Sequence, residues 1–256
     1  MRPRHSLALN LLPALLVALA GCASPSAPGR NTASAIRLLH ERTAHLKMFS
    51  ADFIVRMGDG PDPVTTEGKI SFLLPDKIIL STLLTGGKGQ QVNISDGKVT
   101  WAIMSGLEMI AKIDLQKLNQ FLKSAGLPEQ KPAHNIARPL SVLDPGSVEL
   151  KGTAKVGDIG CWVFEGRPHA TGARPGKAPG DVARLKVYVG TQDGLARRIV
   201  FLDATGRPLM RITYRNVNIN PGLSPADFQY TPPQGAAVLD QTDRVISVMK
   251  SSLRKD

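Results

Sequence analysis

Between Gln91 and Ile103 the chain alternates with period two on both sides of an Asp-Gly pair. Val92 and Ile94 alternate with Asn93 and Ser95; Val99, Trp101 and Ile103 alternate with Lys98, Thr100 and Ala102. Successive side chains of a strand point to opposite faces, so this pattern reads as two half-buried strands. Asp96-Gly97 between them marks a hairpin, with a type I′ turn expected because it requires positive φ at both central residues. Such a hairpin has one apolar and one wet face. Something must cover the apolar side.

The same design recurs along the chain. Phe49, Ala51, Phe53, Val55 and Met57 share one face of a strand whose other face carries Asp52 and Arg56. Ile70, Phe72 and Leu74 alternate with Lys69 and Ser71, Pro75-Asp76 turns the corner, and residues 77–84 return with apolar groups on both faces. Further runs at 109–113, 148–156, 161–166, 182–189, 195–202 and 209–217 are separated by Gly, Pro and Asp turns. Three helices interrupt them. The first spans 34–47, with Ile36, Leu39, Thr43 and Leu46 at helical spacing. The second spans 115–125, capped by Asp114 and stopped by Gly126, with Leu118, Phe121 and Leu122 on one side. The third spans 240–253. This pattern predicts a mainly β fold, a curved antiparallel sheet with an α lid, forming a single domain over 34–256.

The N-terminus carries an address. Arg2 and Arg4 precede an apolar run over 7–20, too short for an ordinary membrane span, which ends Leu19-Ala20-Gly21-Cys22. Small residues before a cysteine resemble the bacterial lipobox. Residues 1–21 are then a signal peptide, Cys22 is the lipid-attachment residue, and 22–33, rich in small residues and Pro, is a tether. Ala23 and Ser24 follow Cys22, and by resemblance to proteobacterial lipoproteins the lack of aspartate there implies an outer-membrane anchor facing the periplasm, with the inner membrane as the other choice. Only Cys161 is left, so no intrachain disulfide can form. Beside Trp162 in a strand run, it reads as a buried, inert thiol.

Net charge is +11 and falls by two, to +9, once the leader with Arg2 and Arg4 is removed. That balance favours anionic surfaces such as phospholipid headgroups. The basic residues are scattered and no nucleic-acid motif accompanies them, so no nucleic-acid partner is expected. Gly86-Gly87-Lys88-Gly89 lacks the spacing of a phosphate-binding loop. His40 and His45 are five apart, not the four that would put two metal ligands on one helix face, and His134 and His169 lie in loops. With neither paired carboxylates nor a Gly-x-Ser-x-Gly elbow, the reading is a binding protein, not an enzyme, with no metal and no cofactor.

Several of these runs carry a pattern beyond alternation. Met48-Phe49-Ser50-Ala51-Asp52-Phe53, Glu67-Gly68-Lys69-Ile70, Pro75 and Ile94-Ser95-Asp96-Gly97-Lys98-Val99-Thr100-Trp101 resemble, in order, the periplasmic lipoprotein carrier superfamily (LolA-like). So does Asp227-Phe228-Gln229-Tyr230-Thr231-Pro232-Pro233-Gln234-Gly235. The resemblance implies an incomplete antiparallel barrel closed by helices and a hydrophobic cavity for acyl chains of lipids or lipoproteins. It also implies a role in lipoprotein sorting or transfer to the outer membrane, with lipoprotein-transfer proteins as partners and the chain itself a monomer. The candidate lipid-binding residues are Phe53, Val55, Ile70, Phe72, Ile78, Leu80, Val92, Ile94, Trp101 and Ile103 from the sheet. Leu118, Phe121 and Leu122 would come from the lid. Two features depart from the carriers. The lipobox is closer to the membrane-anchored receptor of the superfamily (LolB-like), and Leu74 stands before Pro75 where carriers have a basic residue that helps latch the lid. The alternative on the same fold is an envelope-stress sensor or interaction lipoprotein that transfers no lipid.

Overall fold

The computed structural model describes residues 31–58, 60, 63–83, 89–105, 109–127, 129–130, 138–168 and 182–253. Cys22, the signal peptide, the loop at 86–88, His134 and His169 lie outside these residues. Chain order is α1 (Thr32–Thr43), β1 (Met48–Met57), β2 (Val64–Leu73), β3 (Lys77–Leu83), β4 (Gln90–Ser95), β5 (Val99–Met104), β6 (Met109–Asp114) and α2 (Leu115–Ser124). Then follow β7 (Glu149–Val156), β8 (Ile159–Gly166), β9 (Arg184–Gly190), β10 (Ala196–Leu202), β11 (Pro208–Ile219), β12 (Val238–Asp240) and α3 (Thr242–Leu253).

All twelve strands belong to one curved, open sheet in the order β12-β6-β5-β4-β3-β2-β1-β11-β10-β9-β8-β7. Neighbours in sequence are mostly neighbours in space, as short turns between alternating runs require. β11 closes against β1, and β12 is added parallel to β6. The expected mainly β architecture with a helical lid is what the chain forms.

Three details differ from the sequence reading. α1 starts two residues early because the Asn31 side chain accepts from the Ser34 N–H at 2.9 Å and caps it. It ends at Thr43 rather than 47, since Leu46 leaves the helix to pack under Phe49 and Phe72. In the hairpin turn only Gly97 has positive φ, at 90°, so the turn is not type I′. The Asp96 carboxylate holds it instead, accepting from the N–H groups of Lys98 and Val99 at 2.8 Å each.

Register assigns the faces. Phe49, Ala51, Phe53, Val55 and Met57 of β1 stand beside Phe72, Ile70 and Gly68 of β2 on one side and beside Tyr214, Ile212 and Met210 of β11 on the other. That face continues through Ile199, Phe201, Val187 and Phe164, where Ala35 and Leu39 of α1 cover it. The turn at Leu140–Leu143 seats Leu143, 1% exposed, in the same cluster. The three helices among the described residues all lie on this inner face. Phe49 and Phe72 stack on it with ring centroids 5.0 Å apart. Gly68 is required here: a Cβ would meet the Ser81 carbonyl oxygen at 2.1 Å and the Phe53 ring at 2.5 Å.

Candidate functional site: a cavity beneath the last helix

One rung of the inner face runs Ala51, Ile70, Leu80, Asn93, Ala102, Ala111. Side chains are large at β2 and β3 and shrink at β5 and β6. α3 crosses above the small ones, and between them lies a cavity of about 420 Å³. Its floor is Asn93, Thr100, Ala102, Ala111, Lys112 and Ile113; its roof is Gln241, Arg244, Val245, Val248 and Met249. Positions 244, 245, 248 and 249 are one side of a helix, as the 3.6-residue period dictates. The volume falls within the range of about 300–1,000 Å³ typical of single-ligand pockets.

The roof is held by a buried hydroxyl. Thr242, 2% exposed, accepts from the Asp114 N–H at 2.9 Å and donates to the Asp240 carboxylate at 2.6 Å. Asp240 also accepts from the Thr242 N–H at 3.0 Å and pairs with Lys112 at 3.2 Å. The Thr242 hydroxyl above all, and then its N–H and Lys112, hold the Asp240 carboxyl down at about 2, so it stays ionised. On the far side of α3, Ile246 joins Leu115, Leu118 and Leu122 of α2 in a small core. Lys117 reaches Asp243 at 2.8 Å, and the Lys250 ammonium sits 5.5 Å from the Phe121 ring centroid.

The candidate residues therefore divide. Phe53, Val55, Ile70, Phe72, Ile78 and Leu80 are all on the inner face, with Phe53, Ile70 and Phe72 already packed into the central core. Leu118, Phe121 and Leu122 sit in or against the core between α2 and α3, not among the cavity lining. Val92, Ile94, Trp101 and Ile103 share a face with one another, as expected, but it is the outer one. Val92 pairs with Ser81 and Ile103, Ile94 with Ile79 and Trp101, each opposite in sense to Leu80 and Asn93. Over Trp101 the cover is protein: the Tyr230 ring packs edge-on against it at 5.5 Å, and the preceding turn Pro225–Phe228 lies against β3. Placing these four with the inner set is the correction the structure makes, and the cavity instead takes the polar side of the hairpin. Ala102, Ala111, Val245 and Met249 were missed. The signal present in the sequence was small residues at matching positions of adjacent strands.

Other chemistry is sparse. Among the described residues no group of three His, Cys, Asp or Glu is placed to hold a metal, and no helix is long and apolar enough to cross a membrane. Cys161 is fully buried and its thiol is pushed up, chiefly by that burial.

Over 215 residues the chain is 23% identical to an outer-membrane lipoprotein carrier protein of Dechloromonas aromatica, covering 82% of this chain and 89% of the relative. The chain is similar to the lipoprotein carriers. Its sheet also superposes on an uncharacterised conserved protein from Thermus thermophilus (TM-score 0.50, 14% identity, 81% of this chain, 98% of the other). A LolA superfamily protein from Nitrosomonas europaea aligns at TM-score 0.39 and 11% identity, over 79% of this chain and 99% of the other. No protein-family model matches.

Proposed function

We propose that this protein is a lipoprotein, acylated at Cys22 and held on the outer membrane facing the periplasm. There it binds acyl chains of lipids or lipoproteins on the inner face of its sheet and takes part in lipoprotein sorting. The observation that carries this reading is the largely apolar cavity under α3 on the helix-covered face of the sheet, in a chain similar in sequence to a lipoprotein carrier. Holding an acyl chain needs area rather than a reactive group, and apolar burial contributes about 25 cal/mol per Å². The chain would lie over Ala102, Ala111 and Ile113 and extend toward Leu80, Ile78 and Ile70. Release requires α3 to lift, which exposes the same surface to a competing cavity. Several acyl groups on one cysteine anchor firmly, at about 0.8 kcal/mol per buried methylene.

Native mass spectrometry of an exported, soluble Cys22→Ser form is the test. Co-purified lipid, released on denaturation, is expected. Repeated lipid-free preparations that also ignore a fluorescent fatty acid would end this reading. Fractionation checks the anchor: the wild-type protein should sediment with membranes and the Cys22→Ser form should not.

A further inference from the structure

Two cations line the cavity, and they are not equivalent. Lys112 is neutralised by Asp240, which stays ionised. Arg244, on the first turn of α3, is exposed and has no carboxylate partner among the described residues. The nearest acidic residue in sequence, Asp243, is engaged by Lys117. Thus one guanidinium stands at the mouth of the apolar space with its hydrogen-bonding fork free for a ligand. Asn93, Thr100 and Gln241 supply further polar groups to the same lining. An arginine fork matches a carboxylate or phosphate in both geometry and charge.

We propose that the cavity selects an amphiphile with an anionic headgroup, the acyl chain lying against Ala102, Ala111, Val245 and Met249 and the carboxylate or phosphate on Arg244. This rests on the acyl-binding reading above and specifies the ligand class of that site. A neutral headgroup would leave Arg244 in water and gain only chain burial. An ammonium headgroup would meet like charge.

The test uses the chain from residue 22 onward with Cys22→Ser. Affinities are measured by calorimetry, below micelle concentrations, for palmitate, palmitoyl lysophosphatidylglycerol, monopalmitoylglycerol and hexadecyltrimethylammonium. One exposed charge-assisted contact predicts a preference of about three- to tenfold for the anionic ligands over monopalmitoylglycerol. In Arg244→Gln that ratio should fall to about one, and Arg244→Lys should keep part of it. Preference for palmitate alone assigns a carboxylate, for the lysophospholipid alone a phosphate, and for both the general class. Equal affinity for anionic and neutral ligands, or a preference that survives Arg244→Gln, overturns the headgroup assignment and leaves the cavity reading standing. Failure of every ligand to bind overturns both.

Discussion

Asp240 and Thr242 make two neighbouring side chains decide where a helix sits. The Asp240 carboxyl is held at about 2 against an ordinary 3.8, so its contribution is complete above about pH 4 and is lost as pH falls through about 2. Amide-exchange protection across 242–253, corrected for the intrinsic pH dependence of exchange, should therefore fall between pH 4 and pH 2. In Asp240→Asn the acid-dependent step should vanish from that window. Thr242→Val removes the acceptor for the Asp114 N–H and should cost about 1–3 kcal/mol in a denaturant titration. Gly68 is constrained sterically. Gly68→Ala drives a methyl into the Ser81 carbonyl and the buried Phe53 ring, and should destabilise by about 1–3 kcal/mol.

At the scale of elements, α2 and α3 form a lid around a shared core. Leu118 and Leu122 fix α3 to α2 through Ile246, and Val245 and Met249 pack against that core while also lining the cavity over the sheet. Leu122→Ala, at a residue 2% exposed, should cost about 2–5 kcal/mol by leaving a cavity, and loosens the lid as a whole. Ala111→Phe does the opposite: it fills the ligand space from the floor. Acyl-chain binding should drop at least tenfold with the fold intact by circular dichroism. The helices themselves are readable because capping is local. Asp114 accepts from the Lys117 N–H at 3.0 Å, as its position before an apolar run predicts. Periodicity alone carries the first helix too far, to 47, because Leu46 keeps helical spacing by coincidence while serving the sheet core. β12 is not readable at all, being three residues paired to a strand far back in the chain.

For the whole molecule, the sheet is two-sided and each half of the chain covers it differently. Period-two alternation locates most strands and turns, since it depends only on neighbours in sequence. It is symmetric under exchange of faces, however, and says nothing about which face becomes inner. In β1 and β2 the more apolar face is the inner one and in β3 both faces carry apolar residues; in β4 and β5 it is the outer one, and the 221–237 segment lies against it through Tyr230 and Trp101. Only the tertiary path of that segment decides the matter. Trp101→Ala should accordingly lower stability by about 1–3 kcal/mol through lost packing on Tyr230, while leaving acyl-chain affinity within about twofold of wild type. The free edges are handled by short length at β12 and by charge and a bulge at β7, where Glu149, Lys151 and Lys155 flank the irregularity at Leu150/Gly152.

The most direct measurement is photolabelling with a palmitate analogue that carries a diazirine along its chain, read out by peptide mass spectrometry. The account predicts adducts in 109–113 of β6 and 245–249 of α3, competed away by unlabelled palmitate. Adducts confined to the 225–237 segment over Trp101, or no competed adduct anywhere, would contradict it.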